Sequence, residues 1–325
     1  MYIVTGAAGF IGSNIVRALN GRGIDEIVAV DTLEDGDRFV NLRDRDIADY
    51  LDLDEFRDLV RRGGPPWRVT AVLHQGACAD TTEADGRYMM DNNYTFSKEL
   101  LHLALAQRAP MVYASSASVY GAGDEFAEEA GNERPLNVYA YSKLQFDRYV
   151  RRLAVEVDTT VVGLRYFNVY GPNERFKGRM ASMVYQLYNQ LKDDGVARLF
   201  AGTGGFGDGE QRRDFVHVDD VAAVNLRFAL EVGGRGVYNV GTGRARSFND
   251  VARALIARLG RGEVRYVPFP ASLGGKYQSF TEADLANLRA AGYDAPFLSL
   301  EEGIARSFAA WEAERGAGPA ARNAA

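Results

Sequence analysis

The chain has 325 residues, enough for about two domains or for one large α/β unit with a smaller lobe, and 46% apolar with 25% charged residues exclude wholesale disorder. Its 38 Lys and Arg against 44 Asp and Glu leave a formal charge of −6, so no basic footprint for general nucleic-acid binding is present. One cysteine, Cys78, excludes a disulfide scaffold and a multi-cysteine zinc site within one chain.

The elements follow in order. Tyr2-Ile3-Val4-Thr5 predicts a strand, and Gly6-Ala7-Ala8-Gly9-Phe10-Ile11-Gly12 a glycine turn. Residues 13–20 carry Ile15, Val16 and Leu19 at helical spacing, and 26–30 form a second strand ending in Asp31. Gly6 permits the tight turn, Gly9 lets a pyrophosphate approach the backbone, and Gly12 lets the helix pack on the strand. The helix N-terminus offers free N–H groups to phosphates, and Asp31 stands where a carboxylate binds an adenosine ribose hydroxyl. Dinucleotide binding is the expectation.

Further alternation follows. Residues 69–74 read as a strand, 91–108 as a long helix, 111–114 as a strand reaching Ser115 and Ser116, Val138–Leu153 as a helix and 161–165 as a strand. Such alternation predicts a Rossmann-type, doubly wound parallel sheet covered on both faces, with a second, smaller α/β substrate lobe. The expected dinucleotide-binding domain is 1–171, with returns near 213–240 and 280–295. The lobe is expected from 172–212, 241–279 and 296–313, with helices at 181–193 and Phe248–Leu259. Residues 314–325, rich in Ala and Gly, read as a frayed tail. Cys78, among small residues after a strand, reads first as a packing thiol and second as a reactive one. His74, His102 and His217 are too dispersed for a metal site and read as strand or helix residues, so no metal is expected. No stretch has the ~18 apolar residues of a membrane span. Met1 leads straight into a strand, so no leader is expected and the cytoplasm is the expected location.

Tyr139 and Lys143 are four residues apart and share a helix face. A lysine ammonium beside a phenol favours the phenolate and lowers its pKa from ~10 toward neutrality. Such a tyrosine takes a proton from an alcohol as that alcohol is oxidised, Ser116 hydrogen-bonds the same oxygen, and Lys143 also reaches the nicotinamide ribose. Tyr141 is the competing phenol and has no lysine four residues on.

These motifs resemble the extended short-chain dehydrogenase/reductase superfamily of nucleotide-sugar enzymes. Phe39-Val40-Asn41-Leu42, Tyr88-Met89-Met90-Asp91-Asn92-Asn93-Tyr94, Arg165-Tyr166-Phe167-Asn168-Val169-Tyr170-Gly171-Pro172, Lys177-Gly178-Arg179-Met180-Ala181-Ser182, Arg213-Asp214-Phe215-Val216 and Tyr277-Gln278-Ser279-Phe280-Thr281 sharpen the likeness. Together they resemble the ADP-L-glycero-D-manno-heptose 6-epimerase family over nearly all of residues 1–311. The resemblance implies inversion at C6″ of an ADP-linked heptose for the lipopolysaccharide inner core. A carbinol C–H is not acidic, so inversion needs transient oxidation to a ketone and return of the same hydride to the other face. Lys177 matches the family's second acid/base group. Without the resemblance it reads as a solvated loop lysine.

The resemblance also implies cofactor contacts at Phe10, Ile11, Asp31, Thr32, Arg38, Gln75, Gly76, Ala77, Cys78, Ala79, Asn92, Lys143, Val169 and Lys177. It implies substrate contacts at Asn168, Arg179, Gln186, Phe200, Ala201, Gly202, Thr203, Arg213 and Tyr277. The bland reading of Arg213 is an ion pair with Asp214. NADP is the implied cofactor, through Arg38. Asp31, and Leu53 where some members carry a second basic residue, keep NAD as the alternative. Gln186 stands where a histidine can occur. The glycine-rich stretch 204–211 is expected to be a mobile loop over the substrate. A homo-oligomer is implied, a pentamer among the options, with no nucleic-acid or membrane partner. The rival function is a UDP-hexose 4-epimerase. A 4,6-dehydratase needs an acid and a base where Ala117 and Ser118 stand, and a cofactor-sensing regulator would not need Ser116, Tyr139 and Lys143 together.

Overall fold

Strands and helices alternate from the first residues onward. The computed structural model describes residues 1–153, 158–270 and 277–316. In order come β1 (Tyr2–Thr5), α1 (Phe10–Asn20), β2 (Ile27–Asp31), β3 (Asp49–Asp52), α2 (Leu53–Arg61), β4 (Ala71–His74), α3 (Gly86–Met90) and α4 (Phe96–Gln107). Then follow β5 (Met111–Ser116), α5 (Val138–Leu153), β6 (Val161–Tyr166), β7 (Asn168–Tyr170), α6 (Met183–Asp193), β8 (Val196–Phe200), β9 (Arg212–His217) and α7 (Val218–Leu226). The rest are β10 (Arg235–Val240), β11 (Ala245–Ser247), α8 (Phe248–Leu259), β12 (Glu263–Val267), α9 (Ala286–Ala290) and α10 (Leu300–Gly316). No helix among the described residues is long and apolar enough to cross a membrane.

Seven strands pair in parallel in the order β10-β6-β5-β4-β1-β2-β3. Alternate side chains divide between its faces. Ile3, Val28, Val30, Val72 and Met111 pack under Phe56 of α2, Phe96 and Leu100 of α4, and Phe146 of α5. Val4, Ala29, Leu73, Val112 and Leu164 pack under Ile15 and Val16 of α1 and Val221 and Leu226 of α7. Each such large apolar side chain contributes about 1.5–3 kcal/mol on burial. The doubly wound reading of the sequence is what the chain adopts.

The long helix expected over 91–108 is different. It begins at α3, widens into a π-type turn over Asp91–Thr95, and resumes as α4. The widened turn presents Asn93 to the loop after β4. Asn93 Oδ1 accepts the Cys78 N–H at 2.8 Å, and its Nδ2 donates to the Cys78 carbonyl at 3.0 Å and the Ser142 hydroxyl at 3.1 Å. Such insertions cluster at functional sites.

At Phe167 the chain leaves the large sheet. β7 pairs in parallel with β9, β11 pairs antiparallel with β9, and β8 pairs in parallel with β12. Around them α6, α8 and α10 close a separate core containing Tyr188, Leu255 and Trp311. Ser247 and Asp250 form a reciprocal cap at the start of α8, and Gly260 ends it in the left-handed conformation. Of the tail expected to fray from residue 314, residues 314–316 are helical. They end α10, and the Glu314 carboxylate accepts the Asn173 N–H at 2.8 Å. Residues 317–325 of that expected tail lie outside the described residues.

Candidate active site

A cleft of about 900 Å³ runs along the C-terminal ends of the parallel strands, where open α/β sheets bind ligands. The first turn forms its floor. Gly6 has φ +66, and a Cβ on it would stand 2.7 Å from the Gly76 nitrogen, so the loops after β1 and β4 meet only because no side chain intervenes. A methyl group at Gly12 would overlap the Gly6 carbonyl oxygen, so α1 seats on the turn only as glycine. Gly9 caps α1 without a side-chain hydrogen bond, and the first turn carries no acidic residue. The leading N–H groups of α1 thus open on the cleft with their partial positive charge uncancelled.

Asp31 ends β2. Its Oδ2 accepts the Ala8 N–H at 2.7 Å and its Oδ1 the Thr32 N–H at 2.8 Å. Arg38 reaches Asp31 Oδ1 at 3.2 Å and the Thr32 carbonyl at 3.3 Å. Burial pushes the Asp31 carboxyl above its ordinary value, while Arg38 and the backbone donors oppose that shift.

β5 delivers Ser116 and α5 delivers Tyr139 and Lys143 to the same cleft. Ser116 Oγ accepts from the Ser118 hydroxyl at 2.9 Å and the Ser118 N–H at 3.2 Å, which leaves its own proton to donate. It hydrogen-bonds Tyr139. Lys143 is buried and donates to the Ala114 carbonyl at 2.9 Å. Burial pushes its pKa down to about 8, against the pull of Asp147 one turn on. The expected depression of the Tyr139 phenol is not found. Burial of the hydroxyl raises its pKa, the Ser116 hydrogen bond offsets part of that rise, and Lys143, which donates to Ala114, is not among the groups that lower it. Tyr141 turns outward and is 45% exposed, so the competing phenol is not in the cleft.

Lys177 lines the same cleft from the segment between β7 and α6. It is not a solvated loop lysine: its ammonium lies 5.8 Å from the Phe10 ring centroid, and burial lowers its pKa. Asn168, Val169, Arg179, Gln186, Gln75, Gly76, Ala77, Cys78, Ala79 and Asn92 also line it. Gln186 donates to the Ala181 carbonyl at 2.7 Å. Arg179 stands at the mouth, where its Nη2 meets Asp80 Oδ2 at 2.7 Å and Thr82 Oγ1 at 2.6 Å. The histidines are structural: His74 lies between Thr5 Oγ1 (2.6 Å) and Ser97 Oγ (2.8 Å), His217 meets Ser307, and His102 meets Tyr149.

The other expected substrate residues, Phe200 to Thr203, Arg213 and Tyr277, are not among the residues lining the cleft and lie in the second lobe. The Phe200 ring lies 6.4 Å from that of Tyr277, and Phe269 touches both rings, at 5.5 Å from Phe200 and 5.2 Å from Tyr277. Arg213 is 7% exposed, with its guanidinium 4.9 Å from the Tyr277 ring centroid. No ion pair with Asp214 forms. Asp214 instead accepts from Thr242, Gly243 and Ala283, which leaves Arg213 a buried cation with no carboxylate partner among the described residues. Met183 and Phe215 line the cleft and belong to the same lobe core as Tyr277. The Ala201 N–H is taken by the Val267 carbonyl at 2.8 Å and the Gly202 N–H by Asp208 at 2.8 Å, so neither backbone donor is free. Thr203 accepts the Phe206 N–H. The 204–211 loop, expected to be mobile, is pinned where Asn249 donates to the Asp208 carbonyl and to Glu210.

The sequence profile of the NAD dependent epimerase/dehydratase family matches residues 2–241. The chain belongs to that family. Its fold is shared with the ADP-L-glycero-D-manno-heptose-6-epimerase of Helicobacter pylori, at 31% identity over 96% of each chain and a TM-score of 0.82. A UDP-glucose 4-epimerase of Thermus thermophilus, solved with NAD, is 30% identical over 96% of this chain and 98% of its own, with a TM-score of 0.79. The Thermotoga maritima UDP-glucose 4-epimerase, solved with UDP-glucose, is 28% identical over 97% and 99%, with a TM-score of 0.80. The chain is thus a nucleotide-sugar epimerase-type enzyme with a parallel seven-stranded sheet.

A nicotinamide dinucleotide fits the residues present. The uncapped α1 N-terminus and the Gly6–Gly12 turn suit its pyrophosphate. Asp31 and Arg38 stand at the ribose end, and Lys143 with Tyr139 at the other. Several lining residues were not foreseen, among them Arg57, Asp54 and Met183. One signal was available for the chemistry. Of the 38 basic residues only five are lysines, and two of those five, Lys143 and Lys177, are in the cleft. Lysine gives up its proton far more readily than arginine, so the scarce lysines were a cue worth following.

Proposed function

We propose that the enzyme epimerises ADP-D-glycero-β-D-manno-heptose at C6″ to its L-glycero form, supplying inner-core heptose for lipopolysaccharide. The observation that carries this reading is the pairing of two acid/base groups in one cleft: Tyr139 with Ser116 and Lys143 on one wall segment, and Lys177 from another. Inversion through a ketone needs proton transfer at the C6″ oxygen in both faces' addition and removal, and two groups from different elements meet that need. When bound, the nicotinamide supplies the reversible oxidation of the carbinol. Ser116, whose proton points to Tyr139 in the free enzyme, donates it to the reacting oxygen when substrate is bound, Tyr139 exchanges a proton with that oxygen, and Lys143 holds the phenol and ribose in register. Lys177 exchanges the second proton. Arg213, a buried cation without a carboxylate, suits a diphosphate, and the Phe200–Phe269–Tyr277 cluster suits the base beside it.

NADP is the proposed cofactor, because the Arg38 donors are only partly used by Asp31 and Thr32. Mass spectrometry of the nucleotide released on denaturation separates it from NAD. Asn168, Arg179 and Gln186 are proposed substrate contacts, and a homo-oligomer in the cytoplasm is the proposed setting.

The test is incubation with the ADP-heptose and no added cofactor, followed by proton NMR. The expected product is the L-glycero epimer. No conversion after adding NADP and then NAD, with turnover of UDP-glucose instead, would transfer the assignment to a UDP-hexose 4-epimerase, the reading favoured by the Thermus likeness.

A further inference from the structure

Glu174 lies between β7 and α6, three residues before Lys177, and its side chain is fully buried. Its Oε1 accepts the Gly171 N–H and the Ser182 hydroxyl, both at 3.0 Å, and its Oε2 accepts the Ser182 N–H at 2.7 Å. Gly171 follows β7. Ser182 caps α6 by accepting the Tyr185 N–H at 3.1 Å. One carboxylate therefore ties together both ends of the segment 172–181, which carries Lys177 into the cleft and Arg179 to its mouth. The Lys177 N–H closes the turn by donating to the Glu174 carbonyl at 3.0 Å. At Gly178 the chain turns with φ +52, so Lys177 and Arg179 part company there.

Of the charges around Glu174, that of Lys177 acts on it across the turn, without a direct ion pair between the two side chains. Arg175 is drawn aside, with its guanidinium 4.4 Å from the Phe176 ring centroid and Nη1 on the Glu314 carbonyl at 3.3 Å. From α6 the Tyr185 phenol faces it, with a raised pKa. From α10 Glu314 binds the Asn173 N–H, and from β9 His217 sits beside Gly171, neutral at ordinary pH. Burial raises the Glu174 carboxyl to about 7, with its donors and Lys177 opposing the shift. Burial lowers Lys177, and the Glu174 carboxylate raises it.

We propose that Glu174 is the positioning residue for Lys177: its carboxylate fixes the segment that carries the lysine into the cleft and supplies the negative charge that keeps the ammonium available as a proton donor. This rests on the reading of Lys177 as the second acid/base group. The glutamate touches no reacting atom. It acts through the lysine.

With only five lysines, ¹³C-lysine labelling gives a readable NMR titration, and Lys177→Met identifies the Lys177 signal by its loss. In the wild-type protein the Lys177 signal is expected to show a second inflection near pH 7, from Glu174. In Glu174→Gln that inflection disappears and the Lys177 midpoint falls by about one pH unit, as expected for loss of a nearby opposite charge. The matching limb of the kcat–pH profile moves with it, and Glu174→Asp, which keeps the charge, restores most of the midpoint. A single inflection in the wild type, or an unchanged midpoint in Glu174→Gln, overturns the proposal. If Glu174→Gln does not fold, the wild-type titration decides. Failure of the epimerase reading shows separately, as absence of ADP-heptose turnover by the wild-type enzyme while the titration still reports on the pair.

Discussion

Replacing Arg213 with methionine separates ligand binding from stability. The guanidinium is 7% exposed and rests on the Tyr277 and Phe248 rings, 4.9 and 5.7 Å from their centroids. Its Nη1 donates to the Arg212 carbonyl at 2.8 Å. A buried cation without a carboxylate is costly to the free protein, and the ring contacts return roughly 0.5–2 kcal/mol. Methionine keeps much of the apolar volume and removes the charge, so the two changes largely offset, and free-protein stability is expected to move by no more than about 1 kcal/mol. For a diphosphate the balance is one-sided. Two charge-assisted hydrogen bonds at about 1.5–3 kcal/mol each make a loss of roughly 3 kcal/mol or more, which is over a hundredfold in Kd. Calorimetric titration with ADP measures the affinity, and thermal unfolding without ligand measures the stability. Unchanged ADP affinity refutes the assignment of Arg213 to the diphosphate. So does a fall in Tm of more than about 4 °C, since that marks a structural arginine.

Other outcomes follow from the same geometry. Tyr139→Phe and Lys177→Met are each expected to lower epimerisation by orders of magnitude with the released cofactor undiminished, and near-full activity in either removes that residue from the chemistry. Gly12→Ala forces a methyl group into the Gly6 carbonyl, so it should destabilise the fold by several kcal/mol in the manner of an overpacked core and strip the cofactor. Urea melts and cofactor content check this. Acidification should weaken the fold through His74, whose buried ring is held down to about 3. Below its ordinary 6.5 the unfolded imidazole binds a proton that the folded one refuses, so stability falls as pH drops from about 6.5 toward 3, by up to about 1.4 kcal/mol per pH unit. His74→Gln should flatten that part of a stability–pH curve.

Much of the cofactor half could be read from the chain because its signals are local. The Tyr2–Thr5 strand, the Gly6–Gly12 turn, Asp31 and the Tyr139/Lys143 spacing each lie within one strand–turn–helix unit, and Val138–Leu153 and Phe248–Leu259 were bounded by periodicity alone. The widened turn over Asp91–Thr95 was not readable, since its cause is Asn93 binding a loop fifteen residues away in sequence. Phe269 escaped notice for a similar reason: it meets Phe200 only because β12 pairs with β8 across more than sixty residues. The upward push of burial on the Tyr139 phenol was not readable, because helix spacing tells which residues share a face, not that Lys143 turns its ammonium to Ala114 or that the phenol is partly withdrawn from water.

The Arg179–Asp80 contact at the cleft mouth joins the loop after β4 to the segment before α6. Both partners are open to solvent, the arginine side chain 68% exposed, so the clasp is shallow and counter-ions compete for it. A shallow clasp of this kind loosens as ionic strength rises, so the hold between the two walls of the mouth is set by the salt around it. Salt should therefore free Arg179 from Asp80 while also screening it from an anionic nucleotide sugar, and leave the interconversion inside, once the ligand is seated, at its own pace.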